Sequence, residues 1–180
     1  ASTYATYIST YDDYQSTGVV VFASGNDSTN TQPNVLAALP VLATELNEAW
    51  LTVGNLDVSG NTISAGSVTR YSNQCGLAQE FCVYADGTDI TSVVGGFSNS
   101  SETGRYQIYS GSSMAAPQVT GAIALLSQAF PNHTPAQLVD RILATANNSF
   151  YTTTGNTTFI NGVTHGYNPE WGHGIVDLNS

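Results

Sequence analysis

Two short segments of this chain hold residues whose types and spacing could do chemistry. The first is Gly111-Ser112-Ser113-Met114-Ala115-Ala116-Pro117, which sets two hydroxyls directly ahead of an apolar, helix-like stretch. At the amino end of a helix, unpaired N–H groups and the helix dipole favour negative charge. A serine there suits a nucleophile whose attack on a carbonyl creates an oxyanion. The same position also suits an N-cap, whose hydroxyl only satisfies backbone N–H groups. Spacing alone leaves both roles open for Ser112 and Ser113. The α/β-hydrolase elbow fits badly, because G-x-S-x-G needs glycine two residues after the serine and Ala115 stands there. The second segment, Ser24-Gly25-Asn26-Asp27, follows an apolar run. It reads either as a turn tip or as a polar loop at a strand's carboxyl end, where open α/β sheets place their sites.

Stepping outward, Val19-Val20-Val21-Phe22-Ala23 is an uninterrupted apolar run that predicts a strand buried on both faces, as in a parallel sheet. Tyr4, Tyr7, Ile8, Tyr11 and Tyr14 recur at helical spacing ahead of it, and Gly18 is a natural stop. Residues 28–49 look irregular, with Pro33 and Pro40 as breakers. Trp50–Gly54 and Phe81–Ala85 are further strand candidates. The Gly- and Ser-rich stretch from Gly95 to Gly111 favours turns or a hairpin. Residues 113–129 are apolar almost all round, which predicts a central buried helix with Pro117 tolerated near its start. Thr134-Pro135-Ala136-Gln137 is a capping box with proline at the first helical position, opening a helix to about Ala146. The tail from Asn147 is polar and Gly-rich. Strands alternating with helices, without repeats or an obvious linker, predict one α/β domain.

Composition narrows the chemistry. The 180 residues carry 3 Lys+Arg against 13 Asp+Glu, a formal net charge of -10. With only Arg70, Arg105 and Arg141 to neutralise phosphates, nucleic acid and anionic membrane surfaces are disfavoured partners. Lysine is absent, which excludes a P-loop lysine, a Schiff-base lysine and a Ser-Lys dyad within this chain. Hydrophobic residues at 41% suffice for a packed core rather than a disordered chain. No run of 18 apolar residues appears, so no membrane insertion by this chain is expected. A composition led by Ser, Thr, Asn, Gly and Tyr resembles that of polar secreted proteins. Cys75 and Cys82 lack a second cysteine pair for a zinc site; a local disulfide in an oxidising compartment is expected, with two separate buried thiols as the alternative.

Gly111 to Pro117, with Val119 and Gly121 beyond, closely resembles the nucleophile signature of the subtilisin-like serine proteases, G-T-S-M-A-x-P-x-V-x-G. Ser112 replaces the usual threonine and keeps its hydroxyl. Val19 to Asn26 resembles the family's apolar strand ending in Gly-Asn, residues 50–57 its strand with a Val-Gly motif, and Tyr71-Ser72-Asn73 its F-S-N stretch. Trp171 to Asp177 resembles the closing G-x-G-x-[IVL]-[DN] segment. The matches come in the family's order across nearly all of the chain. The stretch from Cys75 to Cys82 most resembles the branch found as passenger domains of bacterial autotransporters, with a freely secreted subtilase as the alternative.

The resemblance implies a parallel sheet flanked by helices, with residues 1–180 forming the C-terminal portion of a peptidase catalytic domain. It implies Ser113 as the acylated nucleophile and Asn26 as an oxyanion donor beside the Ser113 backbone N–H. Ala23, Ser24 and Gly25 would line one wall of the pocket for the residue before the scissile bond, where small side chains leave room for a large apolar one. The family's catalytic Asp and His precede the matched region, as does a strand that pairs with substrate. The expected partners are therefore an N-terminal segment of the same protease, carrying Asp and His, and polypeptide substrates. His133, His165 and His173 match no catalytic position and read as surface or packing histidines. No cofactor is required for the chemistry and no metal ligands are assigned, although structural calcium occurs in the family. The expected location is secreted or cell-surface. A non-catalytic fragment acting as a binding module is the competing reading, opposed by the intact signature and by Asn26.

Overall fold

The computed structural model describes residues 3–60, 62–95, 106–160 and 162–179. Helix α1 (Thr3–Gln15) leads into strand β1 (Val20–Ala23). A short helix, α2 (Leu39–Leu42), interrupts the irregular stretch before β2 (Trp50–Val58). Then come β3 (Val68–Arg70), a 3₁₀ turn over Gly76–Phe81, and β4 (Cys82–Asp86). Strands β5 (Ile90–Val93) and β6 (Tyr106–Tyr109) form an antiparallel pair; most of the Gly- and Ser-rich stretch read as turns or a hairpin, residues 96–105, lies outside the described residues. The long helix α3 (Ser112–Ala129) and α4 (Pro135–Thr145) follow, and β7 (Gly155–Thr158) and β8 (Thr164–Tyr167) make a hairpin in the polar tail.

β2 is the axis of the sheet. It pairs in parallel with β1 through Val20↔Trp50 to Ala23↔Val53, and with β4 through Thr52↔Cys82 to Leu56↔Asp86. Where β1 ends, the antiparallel β3 takes over the same edge of β2 from Leu56↔Arg70 onward. Side chains alternate along β2 by the period of two. Leu51 and Val53 pack with Val83, Ala115, Val119 and Ile142 under α3 and α4, whereas Trp50 packs with Leu46, Phe81 and the partly buried Ile8 and Tyr11 of α1. Helices thus cover both faces of a mainly parallel sheet, the α/β architecture expected.

Two expectations about burial need correction, one for β1 and one for α3. Within Val19–Ala23 only Val20 is buried and the others are half-buried, because among the described residues β1 pairs with β2 alone. The tyrosine stripe of α1 is largely exposed; Tyr4 and Tyr7 face out, while Gln15 is buried and its Nε2 donates to Leu46 O at 2.7 Å. Helix α3 buries one side only: Ala115, Val119, Ala122 and Ile123 meet the core, but Leu125 is 60% exposed. Apolar all-round composition therefore did not mean burial all round. Other features match the sequence reading. Both bonds of the Thr134–Gln137 capping box form, at 2.9 and 3.3 Å. Cys75 and Cys82 are disulfide-bonded, with Cα atoms 5.8 Å apart.

The C-terminal corner closes the far end of the sheet. Ile175 bridges to Tyr84 of β4 and to Asn147. His173 is fully buried, with Nδ1 3.0 Å from Nδ1 of the stacked His165 and Nε2 3.2 Å from Glu80 O; His165 Nε2 lies 2.8 Å from Ala146 O. Burial first, and then the neighbouring His165, push His173 down to about 3, so its ring is neutral in the folded protein.

Candidate active site

The β1 ladder runs on to Ser24, whose N–H donates to Val53 O at 2.8 Å, and there the chain turns sharply. Gly25 makes the turn with φ +114°, and a Cβ on it would meet Asn73 Oδ1 at 2.6 Å. Its carbonyl accepts from Asn73 N at 3.1 Å, which ties the turn to the Tyr71-Ser72-Asn73 segment beyond β3. Asn73 Oδ1 also receives Asp27 N at 2.9 Å. The turn-tip role falls to Asp27, whose carboxylate accepts from Thr29 Oγ1 at 2.6 Å and Thr29 N at 2.9 Å. Those bonds hold the Asp27 carboxyl below its usual range.

Asn26 is held differently. Its Oδ1 accepts from Ser112 N and lies equally close to Ser112 Oγ, 2.8 Å from each. The Ser112 hydroxyl also receives Gly25 N–H at 3.3 Å and lies 3.2 Å from Gly25 O. One buried hydroxyl therefore fastens the β1 loop to the first turn of α3. With Oδ1 committed, the orientation of the Asn26 carboxamide is fixed, and its Nδ2 makes no hydrogen bond among the described residues. The helix N-cap is Gly111, not a serine, and Ser112 and Ser113 are the first two helical residues. Ser113 is exposed, and neither its hydroxyl nor its backbone N–H has a partner among the described residues. An N-cap role for either serine is thereby overturned.

Glycine makes this approach feasible. Gly111 has φ +147°, and a Cβ there would stand 3.1 Å from both Asn26 Nδ2 and Oδ1. Gly111 N donates to Gly87 O at 2.9 Å, docking the helix start on the loop after β4. Ala23 and Gly25 are half-buried, whereas Ser24 is fully buried with Oγ 3.5 Å from Asn73 O. The three histidines are engaged elsewhere: His133 stacks on Phe130, and His165 and His173 lie in the C-terminal corner.

Beside Asn26 opens a cavity of about 350 Å³ lined by Asn26, Asn55, Tyr71, Thr88, Ser110 and Gly111. Sequence reasoning missed Asn55, Thr88 and Ser110, and it missed the fastening role of Ser112. The available signal for Asn55 is its polarity inside the strand Trp50-Leu51-Thr52-Val53-Gly54-Asn55-Leu56.

The sequence profile described as the subtilase family matches residues 1–167. An extracellular serine protease of Serratia marcescens is 33% identical over 143 residues, covering 71% of this chain and 13% of that protein. Subtilisin NAT of Bacillus subtilis subsp. natto is 39% identical over 107 residues, covering 56% of this chain and 26% of its own length. The crystal structure of fervidolysin from Fervidobacterium pennivorans, a keratinolytic enzyme related to subtilisin, superposes with a TM-score of 0.67 at 29% identity, over 97% of this chain and 24% of that one. The chain thus spans between about an eighth and a quarter of the length of these relatives. A profile match that runs from the first helix through β8, together with the shared fold, makes this chain a member of the subtilase family.

Proposed function

We propose that residues 1–180 are the C-terminal portion of the catalytic domain of an extracellular serine endopeptidase. The observation that carries this reading is the Asn26–Ser112 clasp. It orients an amide N–H donor next to an exposed serine whose own N–H is uncommitted. In this reading Ser113 Oγ attacks a peptide carbonyl, and a histidine of an upstream segment takes its proton while an aspartate orients that histidine. Asn26 Nδ2 and Ser113 N stabilise the oxyanion. Collapse of the tetrahedral species expels the amine, and water then hydrolyses the acyl-enzyme. No cofactor enters these steps. Ala23 and Gly25 flank the peptide before the scissile bond, with Ser24 behind them.

Other observations support the partner. The outer edge of β1 is unpaired among the described residues, and its half-buried Val19, Val21 and Phe22 offer an apolar seat for an upstream strand. Residence outside the cell agrees with the disulfide and with the extracellular relative. Among the described residues no helix is long and apolar enough to cross a membrane.

A fluorophosphonate probe should label Ser113 when the upstream segment is present and leave the isolated chain almost unlabelled, because an unassisted hydroxyl is a weak nucleophile. Ser113→Ala should abolish labelling and lower peptide hydrolysis by roughly 10⁶-fold in the assembled protein. Ser112→Ala should reduce both by less. An assembly that neither labels nor cleaves an unfolded polypeptide would overturn the protease reading and favour the binding-module alternative.

A further inference from the structure

Ser112 holds the Asn26 side chain by its oxygen, but the backbone of Asn26 itself makes no hydrogen bond among the described residues. The direction of its Cα–Cβ bond is therefore set by the two peptide neighbours, and one residue meets both. Asn73 N donates to Gly25 O at 3.1 Å, and Asn73 Oδ1 accepts from Asp27 N at 2.9 Å. The Asn73 carboxamide has one workable orientation. Its Nδ2 donates to Gln32 O at 2.9 Å, so turning it over would set a donor against Asp27 N and an acceptor against Gln32 O.

Asn73 is itself firmly seated. It is 2% exposed, and its carbonyl lies 2.9 Å from Oη of the fully buried Tyr84 in β4 and 3.3 Å from Ser72 Oγ. The carbonyl of Ser72, one residue earlier, accepts from Arg70 Nη1. The bracket around Asn26 is thus tied through Asn73 to β4 and to the end of β3, whereas Ser112 ties the side chain to α3. Asn73 does not line the cavity beside Asn26, so whatever it contributes to the chemistry passes through Asn26. We infer that Asn73 is a positioning residue: its backbone N–H and side-chain oxygen bracket Asn26 and set the direction in which the Asn26 Nδ2 donor is presented. This rests on the protease reading above and adds to it the residue that aims the oxyanion donor.

The test uses the assembled protein. Asn73→Ala keeps the backbone bond to Gly25 O and removes the one to Asp27 N. Its kcat should fall about tenfold with KM within about twofold, because a small misplacement of a group that meets only transition-state charge is felt in turnover. The deciding readout is the double variant. Asn26→Ala with Asn73→Ala should turn over within about twofold of Asn26→Ala alone, since aiming has no effect once the donor is gone; a merely structural role would multiply the two losses. Asn73→Leu, similar in shape but without polar atoms, repeats the cycle where the alanine variant folds poorly. A second readout needs no turnover: by ¹⁵N relaxation the Asn26 side-chain amide should be rigid in wild type and more mobile in Asn73→Ala. Unchanged kcat, losses that multiply, or an Asn26 amide equally rigid in both proteins overturns the role of Asn73. A wild-type assembly that cleaves nothing, while Asn73→Ala still loosens the Asn26 amide, counts against the protease reading alone.

Discussion

Two corners of this molecule treat their polar groups in opposite ways. In the C-terminal corner, His165, His173, Glu80 O, Ala146 O and the bridges of Ile175 are all engaged with one another. Around the meeting of β1, β2 and α3, two amide oxygens are bonded while their amide nitrogens have no hydrogen-bond partner among the described residues. Ser112 fixes Asn26 by its Oδ1, and Gly87 fixes Asn55 by its Oδ1, so that in each amide Nδ2 remains over. A buried unsatisfied donor costs on the order of 1–3 kcal/mol, and the apolar core under β2 offsets that cost. The contrast separates polar groups that are fully paired within the fold from amides that keep one donor open. It also shows why the histidines belong to the first kind.

The largest expected effect lies at the corner with the open donors. Asn26→Ala in the assembled protein should lower turnover by about 10²–10³ with KM nearly unchanged, since the donor meets charge only in the transition state. Steady-state kinetics measures it, and unchanged turnover would erase the distinction between the two corners. Replacing Cys75 and Cys82 together by serine should lower stability by about 2–3 kcal/mol, the constraint expected of so short a loop. A shift of the urea midpoint reports this, while kcat/KM per folded assembly should hold. His173 supplies a pH signature. Its folded value near 3 lies below the unfolded 6.5, so the unfolded chain takes up the proton first. The stability held by the neutral ring is present above about pH 6.5 and is lost as pH falls towards 3, at up to about 1.4 kcal/mol per pH unit. His173→Gln should flatten the urea-midpoint profile across that window relative to wild type, and an equal slope would place the ring in water. The smallest effect is Thr134→Ala, which should cost about 1 kcal/mol by removing one half of the capping box. Thermal unfolding suffices to measure it.

What was legible in the sequence follows the range of the interaction. The capping box spans four residues, and the disulfide joins cysteines seven apart; both exist as read. The segment from Gly111 to Pro117 announced a helix start, and strands at β1, β2 and β4 followed from their apolar runs. Burial was less legible, because an apolar stripe states what a face prefers and not what covers it. Tyr4 and Tyr7 are exposed on α1, and β1 lies at an edge. Least legible was Asn55. Its restraint comes from Gly87, 32 residues away, and no local pattern marks a carboxamide whose oxygen is taken and whose nitrogen is not.

The glycines at this corner invert the usual scale of conservative substitution. A methyl group added at Gly87 would fall 2.5 Å from Gly111 O and 2.8 Å from Asn55 Oδ1, and one at Gly111 would press on both polar atoms of the Asn26 amide. Tyr71 and Leu125, by contrast, stand exposed. A library that diversifies this site should therefore sample the big residues freely and leave the smallest ones alone. Here a single added carbon reaches further than the removal of a ring.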